Sequence, residues 1–282
     1  YMSTFNCPEE VFLAEKLIEL HPWADMVKYA RSGGEANSIA IRIARAASGK
    51  DNVAICGYHG WHDWYLAANL KDEHSLDSHL LPGLETAGVP SGLKNTTYPF
   101  FYNDYKTLES LVLEKNIGTI KMEVFRNQEP KNNFLEKVRE LATKNNIVLI
   151  FDECTSGFRK SFGGLHKHYK VEPDIAMFGK ALGNGYAITS VLGREEIMDC
   201  AQSTFISSTF WTERIGPTAA LKTLETMKKE SSWIKIDEIG IEIKKNWKKL
   251  SAKYNLPIQQ WGLPALAGFS FESNKNISYK TL

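Results

Sequence analysis

The sequence predicts an α/β fold, a mostly parallel sheet flanked by helices. Strand-like and amphipathic helical runs alternate along most of the chain. The strand-like runs are continuously apolar, as in Ile147-Val148-Leu149-Ile150-Phe151, the pattern of a strand buried on both faces. The chemically suggestive residues fall where those runs end, and open α/β sheets bind ligands beyond the carboxyl ends of their strands.

Residues 8–20 read as an amphipathic helix with Pro8 in its first turn. Residues 26–30 are strand-like. Residues 35–48 read as a second helix, with Ile39, Ile43 and Ala46 on one face and Gly49 as its stop. A short strand at 53–57 follows. Residues 72–100, with Pro82, Gly83, Gly88, Pro90, Gly92 and Pro99, break the rhythm, and a long irregular stretch inside a compact domain is usually functional or mobile. Helices at 104–115 and 133–144 then alternate with strands at 117–124 and 147–152. The last of these ends in Asp152. A further apolar run, 174–178, leads into Gly179-Lys180. Two long helical patterns cover 216–229 and 233–254. The second carries Ile239, Ile243, Trp247 and Leu250 at helical spacing, predicting a packed apolar stripe beneath a solvated lysine face. Residues 265–272 are strand-like.

With 282 residues the chain is long enough for a sizeable core. Its 34 Lys and Arg against 33 Asp and Glu give a net charge of +1, which provides no electrostatic case for nucleic acid or an anionic membrane as partner. No apolar run approaches membrane-spanning length, and the start of the chain has no signal-peptide pattern. Cys7, Cys56, Cys154 and Cys200 lack CxxC pairing, so free thiols in a reducing cytoplasm are expected.

Four stretches carry chemistry. Ser32-Gly33-Gly34-Glu35, between a strand-like run and a helix, offers backbone N–H groups at a helix N-terminus, a natural phosphate site; a plain turn capped by Ser32 reads the same way. Asp152 is the first polar residue after a buried strand and points into the ligand crevice, where it can hold a cationic ring nitrogen or a metal, or simply cap a turn. Lys180 follows a buried strand among Gly179, Gly183 and Gly185; in a dry pocket its amine becomes nucleophilic, as a Schiff-base lysine must be, whereas a snorkelling lysine is the structural alternative. It is not a P-loop lysine, because Ala181 follows it. In Gly57-Tyr58-His59-Gly60-Trp61-His62-Asp63, Tyr58 can stack on a planar ligand, and Trp61 and Trp64 read as packing. His59, His62 and Asp63 lack a distant fourth ligand and make a weak metal signal. A phosphate cup, a strand-end aspartate, a strand-end lysine and a stacking aromatic are together what pyridoxal phosphate needs.

The sequence resembles the class III aminotransferases of fold type I, nearest to the glutamate-1-semialdehyde 2,1-aminomutase branch. The matching stretches are Ser32-Gly33-Gly34-Glu35-Ala36, Tyr58-His59-Gly60, Phe151-Asp152-Glu153 with Gly157-Phe158-Arg159, and Pro173-Asp174-Ile175 through Gly185. The resemblance implies a pyridoxal-phosphate-dependent transferase fold, with a large cofactor-binding domain over 1–229 and the start of a small α+β domain over 230–282. Relative to the family, an N-terminal segment and most of the small domain are absent. Lys180 matches the lysine that carries the cofactor aldehyde as an imine, and Asp152 the partner of its ring nitrogen. Ser32, Gly33 and Gly34 match the phosphate loop, although the family usually has Ser or Thr at the second glycine. Tyr58 with His59 and Cys154 match the residues on the two sides of the ring. Thr209 matches a threonine reaching the phosphate of a neighbouring subunit, so a homodimer with a shared site is implied. Glu123 matches an acid near the site, and the 72–100 stretch falls where the aminomutases carry a gating loop. Trp211-Thr212-Glu213-Arg214 departs from the family's Gly-Asn-Pro-like turn.

The expected activity is transfer of an amino group between a small-molecule amino donor and a carbonyl acceptor. Intramolecular amino transfer is the alternative, and a non-catalytic cofactor-binding protein the rival from another class. A metal-dependent hydrolase using His59, His62 and Asp152 is a third reading; no metal is expected. Arg126, Arg159 and Arg214 are candidates to hold a substrate carboxylate or phosphate.

Overall fold

The computed structural model describes residues 6–79, 82–125, 127–210 and 212–272. Its centre is a seven-stranded sheet in the order β1-β7-β6-β5-β4-β2-β3. The strands are β1 (Met26–Ala30), β2 (Asn52–Cys56), β3 (Thr97–Pro99), β4 (Ile117–Glu123), β5 (Val148–Asp152), β6 (Ile175–Phe178) and β7 (Thr189–Gly193). From β3 to β6 every neighbouring pair is parallel, and β7 alone runs antiparallel, between β6 and β1. The predicted mostly parallel α/β sheet is therefore present.

Helices cover both faces. On one side lies α2 (Gly33–Ser48), whose Ala36, Ala40, Ile43 and Ala44 pack on Val53, Ile55, Ile150, Ile175 and Val191. On the other lie α1 (Pro8–Leu20), α4 (Tyr105–Glu114), α5 (Phe134–Lys144) and α8 (Ile215–Glu230). Three single-turn helices, α3 (Asp63–Leu66), α6 (His166–Tyr169) and α7 (Glu195–Met198), sit in the connections. Ser32 caps α2 by accepting the Glu35 N–H, and Gly49 ends it in the left-handed region at φ 64°. Ala46, expected on the buried face of α2, is exposed; the packed stripe runs through Ala36, Ala40 and Ala44 instead.

The 72–100 stretch is largely turns, as expected, but ends in β3 at the sheet edge, where Pro99 is tolerated because an edge strand leaves one set of N–H groups unpaired.

A second sheet is the antiparallel pair β8 (Ile258–Trp261) and β9 (Gly268–Phe271), beside α9 (Ser232–Tyr254). Of the predicted stripe on α9 only Trp247 packs: Ile239, Ile243 and Leu250 are exposed, and Gly240 and Lys244 share the packed side with Trp247. A Cβ at Gly240 would lie 2.0 Å from the Pro264 carbonyl oxygen, so the loop before β9 takes the glycine face. Lys244 Nζ donates to the Gly262 carbonyl, and Trp247 meets Phe269 at 4.9 Å. Trp61, also expected to pack, is 70% exposed, whereas Trp64 is buried.

His21 ties α1 to the connection after β5. Its Nε2 accepts the Gly164 N–H at 2.9 Å and its Nδ1 meets the Leu17 carbonyl at 2.8 Å, an arrangement that needs the neutral ring. Burial, with the neighbouring His166, lowers its pKa to about 4. Between about pH 6.5 and pH 4 the unfolded chain therefore binds the proton that the fold excludes. Stability is full above pH 6.5 and falls as the pH drops through this window, by up to about 3 kcal/mol. Chemical denaturation of wild type and His21→Gln across pH 4–7 checks this; the variant should lose less stability on acidification.

Candidate functional site

The loops after β1, β2, β4, β5 and β6, which carry most of the predicted residues, leave the same edge of the sheet. β1 ends beside Ser32, β2 beside Gly57, β4 at Glu123, β5 at Asp152 and β6 beside Gly179-Lys180. This follows from parallel topology, which brings every carboxyl end to one side. A cavity of about 980 Å³ lined by Ser48, Arg139, Val148, Asp174 and Arg194 lies at the opposite ends of the strands, away from these residues.

Asp152 is the centre of the cluster. It is 5% exposed and paired across the sheet with Glu123 and Met177. His59 Nδ1 is 2.9 Å from Oδ2, the Cys154 N–H donates to Oδ1 at 3.1 Å, and Lys121 Nζ lies 3.7 Å from Oδ2. Burial alone raises the carboxyl, but the Lys121 ammonium, the His59 hydrogen bond and the Cys154 N–H outweigh it and hold Asp152 well below the usual carboxylate range. The side chain is a fixed anion. Burial lowers the His59 pKa against the pull of Asp152, so the ring is neutral, with Nδ1–H donating to the carboxylate. Its buried Nε2 has no hydrogen-bond partner among the described residues. The next residue, Glu153, points away from the site and accepts from Ser156 Oγ and the His166 N–H, while His166 in turn takes the Trp23 indole N–H.

Glu123, 4% exposed, accepts the Tyr58 N–H at 3.1 Å. The approach is possible only because Gly57 has no side chain: its φ is 112°, and a Cβ there would lie 2.4 Å from Glu123 Oε2. Tyr58 is half-buried and meets Tyr65 edge-on at 6.0 Å. Cys154 is buried, and burial pushes its thiol well up, so it packs as an inert group.

Lys180 has φ 42°, and its Nζ donates to Thr155 Oγ1 at 2.9 Å. The strand before it is wholly buried, but the lysine itself is exposed, so the dry pocket expected from sequence is absent around this single chain. Its turn borders a cavity of about 730 Å³ with Arg159, Asn184, Tyr186 and Lys222. Arg159 is half-buried and its Nε has no hydrogen-bond partner among the described residues, which keeps it a candidate for a substrate anion. Arg214 is engaged with Glu9, and Arg126 lies outside the described residues. Thr209 is exposed in a loop tied back to the site: Arg31, next to Ser32, donates to the Phe210 carbonyl and pairs with Glu213 at 2.7 Å.

Ser32, Gly33 and Gly34 begin α2. A Cβ on Gly33 would meet nothing within 4 Å, so the first turn is open toward a ligand. At Gly34 a Cβ would lie 2.7 Å from His62 Nε2. His62, held by Ser38 Oγ at 2.7 Å, takes the space that a serine or threonine would need, which accounts for the second glycine. Gly34→Ser should therefore displace His62 and destabilise the fold by about 1–2 kcal/mol. Adding His62→Ala should restore most of that loss in thermal unfolding. His62 is thus directed to α2 rather than to His59 and Asp152, and no group of three His, Cys, Asp or Glu able to hold a metal occurs among the described residues.

The donor set fits the cofactor that the resemblance implies: a fixed anion for a ring cation, an open helix N-terminus for a phosphate, and an accessible amine. Sequence reasoning missed Lys121 and Thr155. The signal for Lys121 was present, since Lys121 and Glu123 share one face of a strand whose other face is Ile120, Met122 and Val124.

A family model described as "Aminotransferase class-III" matches residues 2–281. A curated relative from Cloacimonas acidaminovorans, 3-aminobutyryl-CoA aminotransferase, is 36% identical over 280 residues, covering 96% of this chain and 63% of the relative. Glutamate-1-semialdehyde 2,1-aminomutase of Methanobrevibacter smithii is 34% identical over 238 residues, covering 80% of this chain and 55% of the relative. An omega-transaminase from Sphaerobacter thermophilus superposes with TM-score 0.83 at 23% identity, over 96% of this chain and 65% of that one. The ornithine aminotransferase of Toxoplasma gondii ME49 gives 0.81 at 21%, over 97% and 66%. These two likenesses show the fold. The chain spans less than two thirds of the length of both curated relatives.

Proposed function

Because this chain belongs to the class III aminotransferases, we propose that it binds pyridoxal phosphate and transfers an amino group between a small-molecule donor and a carbonyl acceptor. The observation that carries the reading is the convergence of ionised Asp152, Lys180 and the open first turn of α2 on one edge of the sheet. When bound, pyridoxal phosphate supplies an electron sink for the bond at the substrate α-carbon. The chain's residues do the rest. Asp152 holds the ring nitrogen's proton, and His59 holds Asp152 in place. The first N–H groups of α2 bind the phosphate. Tyr58 and Cys154 cover the two ring faces. Lys180 would hold the cofactor's aldehyde carbon, and its amine, placed by Thr155 Oγ1, would move a proton at the substrate α-carbon. Glu123 matches a family acid near the site, and Arg159 offers an anion clamp for substrate, a role for which Arg126, outside the described residues, is also a candidate.

In this reading residues 1–229 form the cofactor-binding domain and residues 230–282 begin a smaller one. The protein is a cytoplasmic homodimer whose Thr209 reaches the partner's phosphate. Exposed Trp61, Phe205 and Phe210 on the loops around the site support a second copy covering it and drying the Lys180 pocket. Sedimentation showing only monomer at micromolar concentration would remove this part. Among the described residues no helix is long and apolar enough to cross a membrane.

The reading is tested by adding amino donors to the cofactor-loaded chain and following the cofactor band. Conversion in a first half-reaction, reversed by a keto acid or semialdehyde, supports it; an unchanged band with every donor sinks it and leaves a non-catalytic binding protein. The substrate in the first relative's name makes a β-amino acyl thioester such as 3-aminobutyryl-CoA the donor to try first. The aminomutase reading is favoured by the second relative. It requires glutamate-1-semialdehyde to isomerise with no second substrate.

A further inference from the structure

Ile55, Lys121, Ile150 and Ile175 stand side by side on four neighbouring strands, on the sheet face covered by α2. An apolar side chain at position 121 would complete this row. The lysine there is wholly buried, and a buried ammonium is strongly unfavourable unless its charge is answered. Nζ lies 2.9 Å from Met177 Sδ, a weak acceptor, and 3.7 Å from Asp152 Oδ2. The anion that answers it is the same carboxylate that His59 orients and that faces the ring nitrogen in the function proposed above.

We propose that Lys121 is a positioning residue for the cofactor: its ammonium shares the Asp152 carboxylate with the ring nitrogen and thereby lowers that nitrogen's affinity for a proton. The inference rests on Asp152 being the ring-nitrogen partner. The groups facing this pair are Glu123 on β4, neutral His59 after β2 and the protonated Cys154 thiol after β5; burial pulls the Lys121 pKa down, and the Asp152 carboxylate pulls against it. A protonated ring nitrogen facing Asp152 therefore competes with the Lys121 ammonium for one carboxylate. Without Lys121 that carboxylate would hold the ring proton more tightly. The consequence is a milder electron sink than an unshared aspartate gives. Among the described residues, Lys121 is the buried lysine of the sheet, and a purely structural role would have been met better by isoleucine.

The test is titration of ¹⁵N-labelled pyridoxal phosphate bound to the wild-type chain and to Lys121→Met, followed by the ring-nitrogen resonance. Methionine keeps the unbranched shape, and Lys121→Gln serves as a second variant should methionine disturb the fold. The expected result is a titration midpoint higher by about one to two pH units in the variants. Coincident midpoints in wild type and variants overturn the proposal. So does a ring nitrogen already protonated in wild type throughout the pH range of stability. A wild-type chain that binds no label overturns the function reading itself, a result distinguishable from both.

Discussion

Replacing Lys180 with alanine should lower turnover by about 10³-fold or more while leaving the fold intact. The side chain is exposed, and its Nζ donates to Thr155 Oγ1. Stability should change by less than about 1 kcal/mol, as for an exposed residue. Activity should collapse because one amine both holds the aldehyde carbon and moves the proton at the α-carbon. Small amines added to the variant should restore a measurable fraction of turnover, since they replace the proton carrier. Turnover within tenfold of wild type would remove Lys180 from the chemistry.

Asp152→Asn should be costly in a different way. The amide keeps the shape, but its single oxygen can accept from only one of the His59 Nδ1–H and the Cys154 N–H, and the anion is gone. Turnover should fall by about 10²–10³-fold, as on removing a preorganised electrostatic partner. The fold should also lose about 3–5 kcal/mol, because Lys121 is left as an unanswered buried charge. The two losses are separable. Asp152→Asn combined with Lys121→Met should recover most of the stability in chemical denaturation and none of the turnover. A double variant as unstable as Asp152→Asn would place the damage elsewhere, in the His59 contact.

Much of the sheet was legible because its strands are buried on both faces and so spell continuous apolar runs. β4, β5 and β6 lie within a residue or two of their predicted limits; β4 ends at Glu123, β5 at Asp152, and β6 two residues before Lys180. β3 and β7 were not legible. The first is three residues at an edge and contains Pro99; the second is a short strand following the glycine-rich turn around Lys180. The stripe on α9 misled because periodicity reports an amphipathic face but not what covers it, and Gly240 drew the Pro264 loop to a different side. In the site, Asp152 and Lys180 were readable from their positions at strand ends. The Gly34 departure became intelligible only in three dimensions, since the cause, His62, is 28 residues away in sequence. Lys121 was passed over as part of an apolar strand, although its charge on an otherwise buried face was visible in the residues themselves.

Lys180, past the open end of β6, is the residue proposed to carry the cofactor. Borohydride reduction of the chain loaded with pyridoxal phosphate, followed by peptide mass mapping, checks this. The visible band should be bleached, and the added mass should lie on the peptide containing Lys180. Mass found on another lysine, or a chain that takes up no pyridoxal group before reduction, would contradict it.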